Sequence, residues 1–138
     1  MFLFKTSGGT IGSVVANQKH AFANKPREWD HGEWVLVSKN RADCRPGERQ
    51  IQYLMRLESI RPLQPGESNR YWPGTEGRWE YLVSCFDTRR LRRPFNLSEA
   101  LGLGARDFDG VITFKRLSPG DERRVIAFLN DREPGTLE

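Results

Sequence analysis

Apolar and polar positions alternate along much of this chain, and the alternation predicts strands. Phe2-Leu3-Phe4 opens an extended segment, Phe2 to Lys5, which stops at Thr6-Ser7-Gly8-Gly9-Thr10, a loop signal. From Glu33 to Lys39, Trp34, Leu36 and Ser38 fall on one face and Val35 and Val37 on the other, so this second strand is buried on both sides. A third runs from Gln50 to Ser59, with Ile51, Tyr53, Met55 and Leu57 in alternation. A fourth runs from Trp79 to Phe86, with Trp79, Tyr81, Val83 and Cys85 on one face. A fifth is Val111 to Phe114. Residues 11–24 show no clean period and predict at most a short helix or two. Pro46-Gly47, Pro62, Pro65-Gly66 and Pro73-Gly74 mark the longer loops.

Two helix starts are signed. Asn96-Leu97-Ser98-Glu99 sets a capping residue three before a Glu, with Gly102 as the stop. Ser118-Pro119-Gly120-Asp121 sets a cap before Pro at the first helical position, and Val125, Ile126 and Leu129 then share one helix face. Without regular strand–helix repeats, five to six short strands with flanking helices predict an α+β fold, a small β-barrel rather than a parallel sheet. A single domain over 1–138 is expected, with about 131–138 fraying as a polar tail that carries a Pro-Gly pair.

Composition narrows the classes. At 138 residues the chain supports one core. The apolar fraction of 37% with 4 Trp, 3 Tyr and 8 Phe excludes a disordered chain. No apolar run approaches the roughly 18–20 residues of a membrane span, and no signal peptide is evident, so a cytoplasmic protein with no membrane partner is expected. Cys44 and Cys85 form no CxxC, and His20 and His31 no HExxH, so neither a metal nor another cofactor is expected.

The net charge of +4 permits an anionic partner. Arg89, Arg90, Arg92 and Arg93 follow the fourth strand closely, Arg41 follows the second, Lys115 and Arg116 follow the fifth, and Arg70 lies beside Tyr71-Trp72 in a Pro/Gly-rich loop. If these loops neighbour one another, they make a positive rim for phosphates. Large loop aromatics (Trp72, Trp29, and Phe22 in an irregular segment) suit either the core or a flat ligand. Lys5, Thr6 and Ser7 after the first strand, with Ser38, Lys39 and Asn40 at the end of the second, suit reading a base edge. No GxSxG is present and no GK[ST] follows Gly8-Gly9, while Asp30 and His31 are adjacent and so ill placed to converge on a substrate.

These residues carry a resemblance. Phe2-Leu3-Phe4-Lys5-Thr6-Ser7, Gly32 to Ser38, Gln52 to Leu57, Trp79 to Phe86 followed by Arg93-Pro94-Phe95, and Arg116 to Glu122 resemble, in order, the motifs of the PUA-like superfamily, with EVE and YTH domains the nearest groups. The resemblance implies a compact barrel that holds one flipped, modified base of DNA or RNA: methylated or hydroxymethylated cytosine, or methylated adenine. Lys5, Thr6, Ser7 and Ser38 to Asn40 fall at its polar edge, Phe22 near the first aromatic wall and Trp72 near the second. Phe22 stands where the YTH pattern has Trp, and the segment after it is shorter, so Trp29 is the alternative first wall. The expected protein is a non-catalytic reader without a cofactor, working with a nuclease or NTPase effector on another chain or a missing domain. Two alternatives are an ASCH-type amidohydrolase on acylated nucleosides, using Lys5 and Thr6, and an RNA- or protein-interaction module.

Overall fold

The computed structural model describes residues 1–6, 10–39, 50–102 and 114–138, and of Lys39 the backbone only. Six strands form one sheet: β1 (Phe2–Thr6), β2 (Lys19–Phe22), β3 (Trp34–Lys39), β4 (Gln50–Pro62), β5 (Tyr81–Asn96) and β6 (Phe114–Arg116). Four helices flank it: α1 (Ile11–Asn17), α2 (Glu67–Tyr71), α3 (Leu97–Leu101) and α4 (Pro119–Arg132). The strand order is β2-β5-β4-β3-β1-β6. β1 and β3 are parallel, which requires a long crossover, and α1 and β2 lie within it.

The alternation read from the sequence sorts the core into two layers. Phe2 and Phe4 of β1 and Val35 and Val37 of β3 face one layer with Met55, Leu57, Val83 and Cys85. Leu3 and Leu36 face the other, where Leu97, Leu101, Val125 and Leu129 bring α3 and α4 onto the sheet. The signed helix starts form as expected. The Asn96 N–H donates to Glu99 Oε2 at 2.6 Å, and Ser118 Oγ accepts from the Asp121 N–H at 3.2 Å.

The sheet curls into a half-barrel, and rings join its edges. Phe22 on edge strand β2 stacks on Phe114 of edge strand β6, centroids 4.7 Å apart and 22° from parallel. Phe4 touches both, at 5.2 and 4.9 Å. Curling on this scale needs local twist, which bulges supply. β4 against β5 shifts register three times, between Ile51/Tyr53, Leu54/Arg56 and Leu57/Ser59. The first shift turns Ile51 away from Tyr53 and Met55 into the opposite layer, so the single-face alternation expected for this strand does not hold.

Three other expectations change. The segment holding Phe22 is strand β2, set off from α1 by Gln18 in a left-handed turn (φ 55°). The fourth strand does not end at Phe86: β5 continues to Asn96, so Arg89, Arg90, Arg92 and Arg93 lie on a strand and not in a loop. The tail expected to fray instead folds back. Leu137 packs on the α3/α4 layer, the Thr136 carbonyl accepts from Arg89 Nη1 at 2.5 Å, and Glu133 accepts the Arg92 and Arg93 N–H groups at 2.9 and 3.4 Å. Of the fifth predicted strand, Phe114 lies in β6 and 111–113 fall outside the described residues.

Candidate nucleic-acid interface

The parallel register sets Lys5 beside Ser38 and Thr6 beside Lys39 where β1 and β3 end together. Lys5 and Thr6 are buried, and so is Ser38. Thr6 Oγ1 donates to the Ser38 carbonyl at 3.1 Å, and Ser38 Oγ to the Phe4 carbonyl at 3.3 Å, so both hydroxyls tie the two strands. Ser7, Asn40 and Arg41, with the Lys39 side chain, lie outside the described residues.

The two rings expected to sandwich a ligand are both in the core. Phe22 is 3% exposed, with Phe114, His20 and Phe4 against it, and shows no face to solvent. Trp72 follows α2 directly and is 6% exposed. Its indole Nε1 donates to Ser13 Oγ on α1 at 3.1 Å, and Trp79 meets its ring edge-on at 5.7 Å. His20 touches both walls, 4.3 Å from Phe22 and 6.3 Å from Trp72. An imidazole thus contacts the two rings between which the sequence sets a ligand. Trp29 is half-buried and packs against the same layer.

His20 is the residue that sequence reading passed over, because a single histidine in an aperiodic segment carries no signal. Its Nδ1 accepts the Ala21 N–H at 2.8 Å. Its Nε2 is buried and has no hydrogen-bond partner among the described residues. Burial pushes the imidazole down to about 4, against a smaller upward pull from the Lys5 backbone. The ring is therefore neutral at pH 7, and Nε2 makes no hydrogen bond of good geometry among the described residues, while the Lys5 backbone acts on the ring. An unpaired buried polar atom is costly, and such groups recur at ligand sites.

The arginines separate by environment. Arg89 is engaged: its guanidinium lies 4.9 Å from the Trp34 ring, pairs with Asp87 at 3.0 Å and holds Thr136. Arg56 covers Trp34 at 4.3 Å and reaches the same Asp87 at 3.5 Å. Arg116 pairs with Glu33 and lies over Phe2. Lys115 is half-buried on β6. Arg70 is exposed over Tyr71. Arg90, Arg92 and Arg93 are exposed and have no ion pair among the described residues. Arg90, Leu91, Arg92 and Pro94, with Gln52 of β4, line an open groove of about 460 Å³. The ladder sets Arg90 opposite Tyr53, Tyr53 opposite Val37 and Val37 opposite Phe4, so the groove flanks the strands that carry the polar cluster. If the groove holds phosphates, the triple change of Arg90, Arg92 and Arg93 to Gln flattens the slope of log affinity against log salt by about 2, at ~0.7 per lost contact to a single strand. An unchanged slope in an anisotropy titration would remove the groove from the interface.

Among the described residues, no group of three or more His, Cys, Asp or Glu side chains is arranged to hold a metal, and no helix is long and apolar enough to cross a membrane. Cys85 is buried, with its thiol pushed up to about 12 by desolvation, and is no nucleophile. His31 stacks on Phe86 at 5.2 Å, and the Asp30 N–H donates to Glu33, so this pair shapes a turn.

No protein-family model matches the chain, and no curated protein matches its sequence. Solved structures do. The ASCH protein of Zymomonas mobilis superimposes with a TM-score of 0.59 at 14% identity, over 91% of this chain and 93% of that one. One mutant of the same protein gives 0.61 at 13% identity, over 91% and 96%, and a second gives 0.59 at 14%, over 92% and 94%. The fold is that of an ASCH domain. At 13–14% identity the likeness is one of fold alone: an α+β half-barrel of six strands with flanking helices. In this ASCH-type fold the buried polar cluster lies at the paired ends of β1 and β3, with α1 and the Trp72 segment packed beside the curled sheet.

Proposed function

We propose that this ASCH-type domain is a non-catalytic nucleic-acid-binding module that takes one flipped base at the end of β1 and β3. The observation that carries the reading is the unpaired, buried His20 Nε2 beside Trp72, with Lys5, Thr6 and Ser38 buried close by. A base edge offers a partner for the His20 nitrogen, and the indole offers a stacking face once His20 turns aside. Turning His20 and flipping a base each cost free energy. Stacking worth about 1–3 kcal/mol and the new hydrogen bonds offset that cost.

A modified base is the favoured ligand, because each methyl buried against these rings adds roughly 0.8 kcal/mol, a several-fold preference. Methylated adenine and methylated or hydroxymethylated cytosine, in DNA or RNA, are the candidates. A nuclease or NTPase that acts on the bound strand belongs to another chain or domain. The test is a binding screen of these bases in one short single strand. Wild type is expected to prefer one modified oligonucleotide, and Trp72→Ala, checked for folding by circular dichroism, to bind modified and unmodified alike. Equal affinities for wild type contradict the reading.

A second reading is supported by Lys5, which is 4% exposed and adjacent to buried Thr6. A buried lysine among strand-end hydroxyl residues is a set suited to an amidohydrolase acting on an acylated nucleoside. Acetate release from an acylated cytidine, lost in Lys5→Met, would favour the enzyme; no release leaves the binding module.

A further inference from the structure

A second surface lies where α2 and the start of β5 meet β2. The Tyr71 and Trp79 rings adjoin Trp72 at 5.6 and 5.7 Å, and Tyr81, two residues beyond Trp79, pairs with Phe22 across β2 and β5. Unlike Trp72, these three rings are half-exposed. Each has a cation on it. Arg70 and Lys19 lie 5.7 and 5.8 Å from the Tyr71 centroid, Arg78 lies 5.2 Å from Trp79, and Lys25 lies 5.6 Å from Tyr81. None of the four cations is in an ion pair among the described residues. The neighbouring acids are Glu67, Glu76 and Glu80. Glu67 is neutralised by Arg61 at 2.5 Å, and Glu76 accepts the Gly66 N–H at 2.9 Å. Glu76 and Glu80 keep their charge, and against them stand the four cations Arg70, Lys19, Arg78 and Lys25, so these groups sum to a positive charge.

We propose that Tyr71, Trp79 and Tyr81 form a stacking track for the unpaired nucleotides that flank the base held at Trp72. This rests on the reading that the ligand is a nucleic acid. The pattern fits a single strand better than other anions. A duplex hides its base faces, and an acidic peptide would use the cations but leave the rings idle. Exposed cation–ring contacts are weak and exchangeable. An unpaired base takes the ring face, and the displaced Lys or Arg moves to the adjoining phosphate. Position favours the same occupant, because the track adjoins Trp72 and a strand leaving the base site meets it directly.

The test uses wild-type protein and an oligothymidylate of about nine nucleotides carrying 5-iodouracil, irradiated and mapped by mass spectrometry. Crosslinks are expected on Tyr71, Trp79 or Tyr81, and crosslinks confined to other residues overturn the track. Tyr71→Ser and Tyr81→Ser together are expected to weaken binding of that oligonucleotide at least about tenfold. Arg70→Gln with Arg78→Gln, which leaves the packed rings in place, lowers the salt slope by about 1.4. Equal affinity for a duplex of the same length, or unchanged binding by both variants, also overturns the track. A trinucleotide carrying the modified base reports the base site alone. If it binds selectively while the longer strand gains nothing from the track, the inference fails and the base-site reading stands. If modified and plain trinucleotides bind alike while the longer strand still needs the three rings, the reading fails and the track stands.

Discussion

Replacing Phe4 by alanine is expected to cost about 3–5 kcal/mol of folding stability, the range for removing a fully buried phenyl group. Phe4 has no exposed surface and touches His20, Phe22 and Phe114 at 5.5, 5.2 and 4.9 Å. Its removal does more than open a cavity. β2 and β6 are the sheet's two edges, and they meet through rings, so Phe4 is the shared neighbour that holds the curl. Each ring pair adds about 0.5–1.5 kcal/mol beyond its buried area. Urea unfolding measures the loss, and Phe4→Leu, which keeps most of the volume, is expected to cost about half as much or less. A loss below about 1 kcal/mol for Phe4→Ala would mean that the rings do not join the edges.

Acidification gives the second large effect, and His20 is its source. The folded-state value of about 4 lies below the ordinary 6.5. Between the two the unfolded chain binds a proton that the folded chain refuses, so stability falls as pH drops through this window and the loss is complete below about 4. At about 1.4 kcal/mol per pH unit the loss is on the order of 3 kcal/mol. Glu67 acts in a lower window. Arg61 holds its carboxyl down to about 2 from 4.5, so its contribution is present above 4.5 and lost as pH falls through 2. Unfolding curves from pH 7 to 4 are expected to show the His20 slope in wild type and to lose it in His20→Gln. The same slope in both proteins would assign acid sensitivity to another group.

Much of the fold was legible because its strands keep period two on a sheet buried on both sides. Trp34 to Ser38 read correctly for that reason, and the caps at Asn96 and Ser118 are local chemistry that needs no tertiary context. Bulges are the first failure. They shift parity without marking the sequence, which is why Ile51 changed layers. The second half of β5 was hidden by charge, since four arginines in five positions look like a solvated turn. Leu91 and Phe95, both buried four residues apart, were the surviving strand signal. β2 is a four-residue edge strand, too short for a period to emerge.

The candidate site was legible in part. Lys5 and Thr6 lie next to Ser38 because β1 and β3 are parallel and end together, and strand ends can be read from the sequence. That Phe22 would be enclosed by Phe114 and His20 depends on the two sheet edges meeting, a contact between residues far apart in sequence. Arg89 fails as a free cation for the same kind of reason, since Trp34, Asp87 and Thr136 reach it from three separate segments.

The base site itself is tested most directly by NMR. The Trp72 indole N–H and the His20 ring protons are followed while a short single strand carrying the preferred modified base is added. Both sets are expected to shift together and saturably, the indole because a base stacks on it and the imidazole because its Nε2 gains a partner. Shifts limited to residues along β5, with the Trp72 and His20 signals unmoved at saturation, would contradict the account.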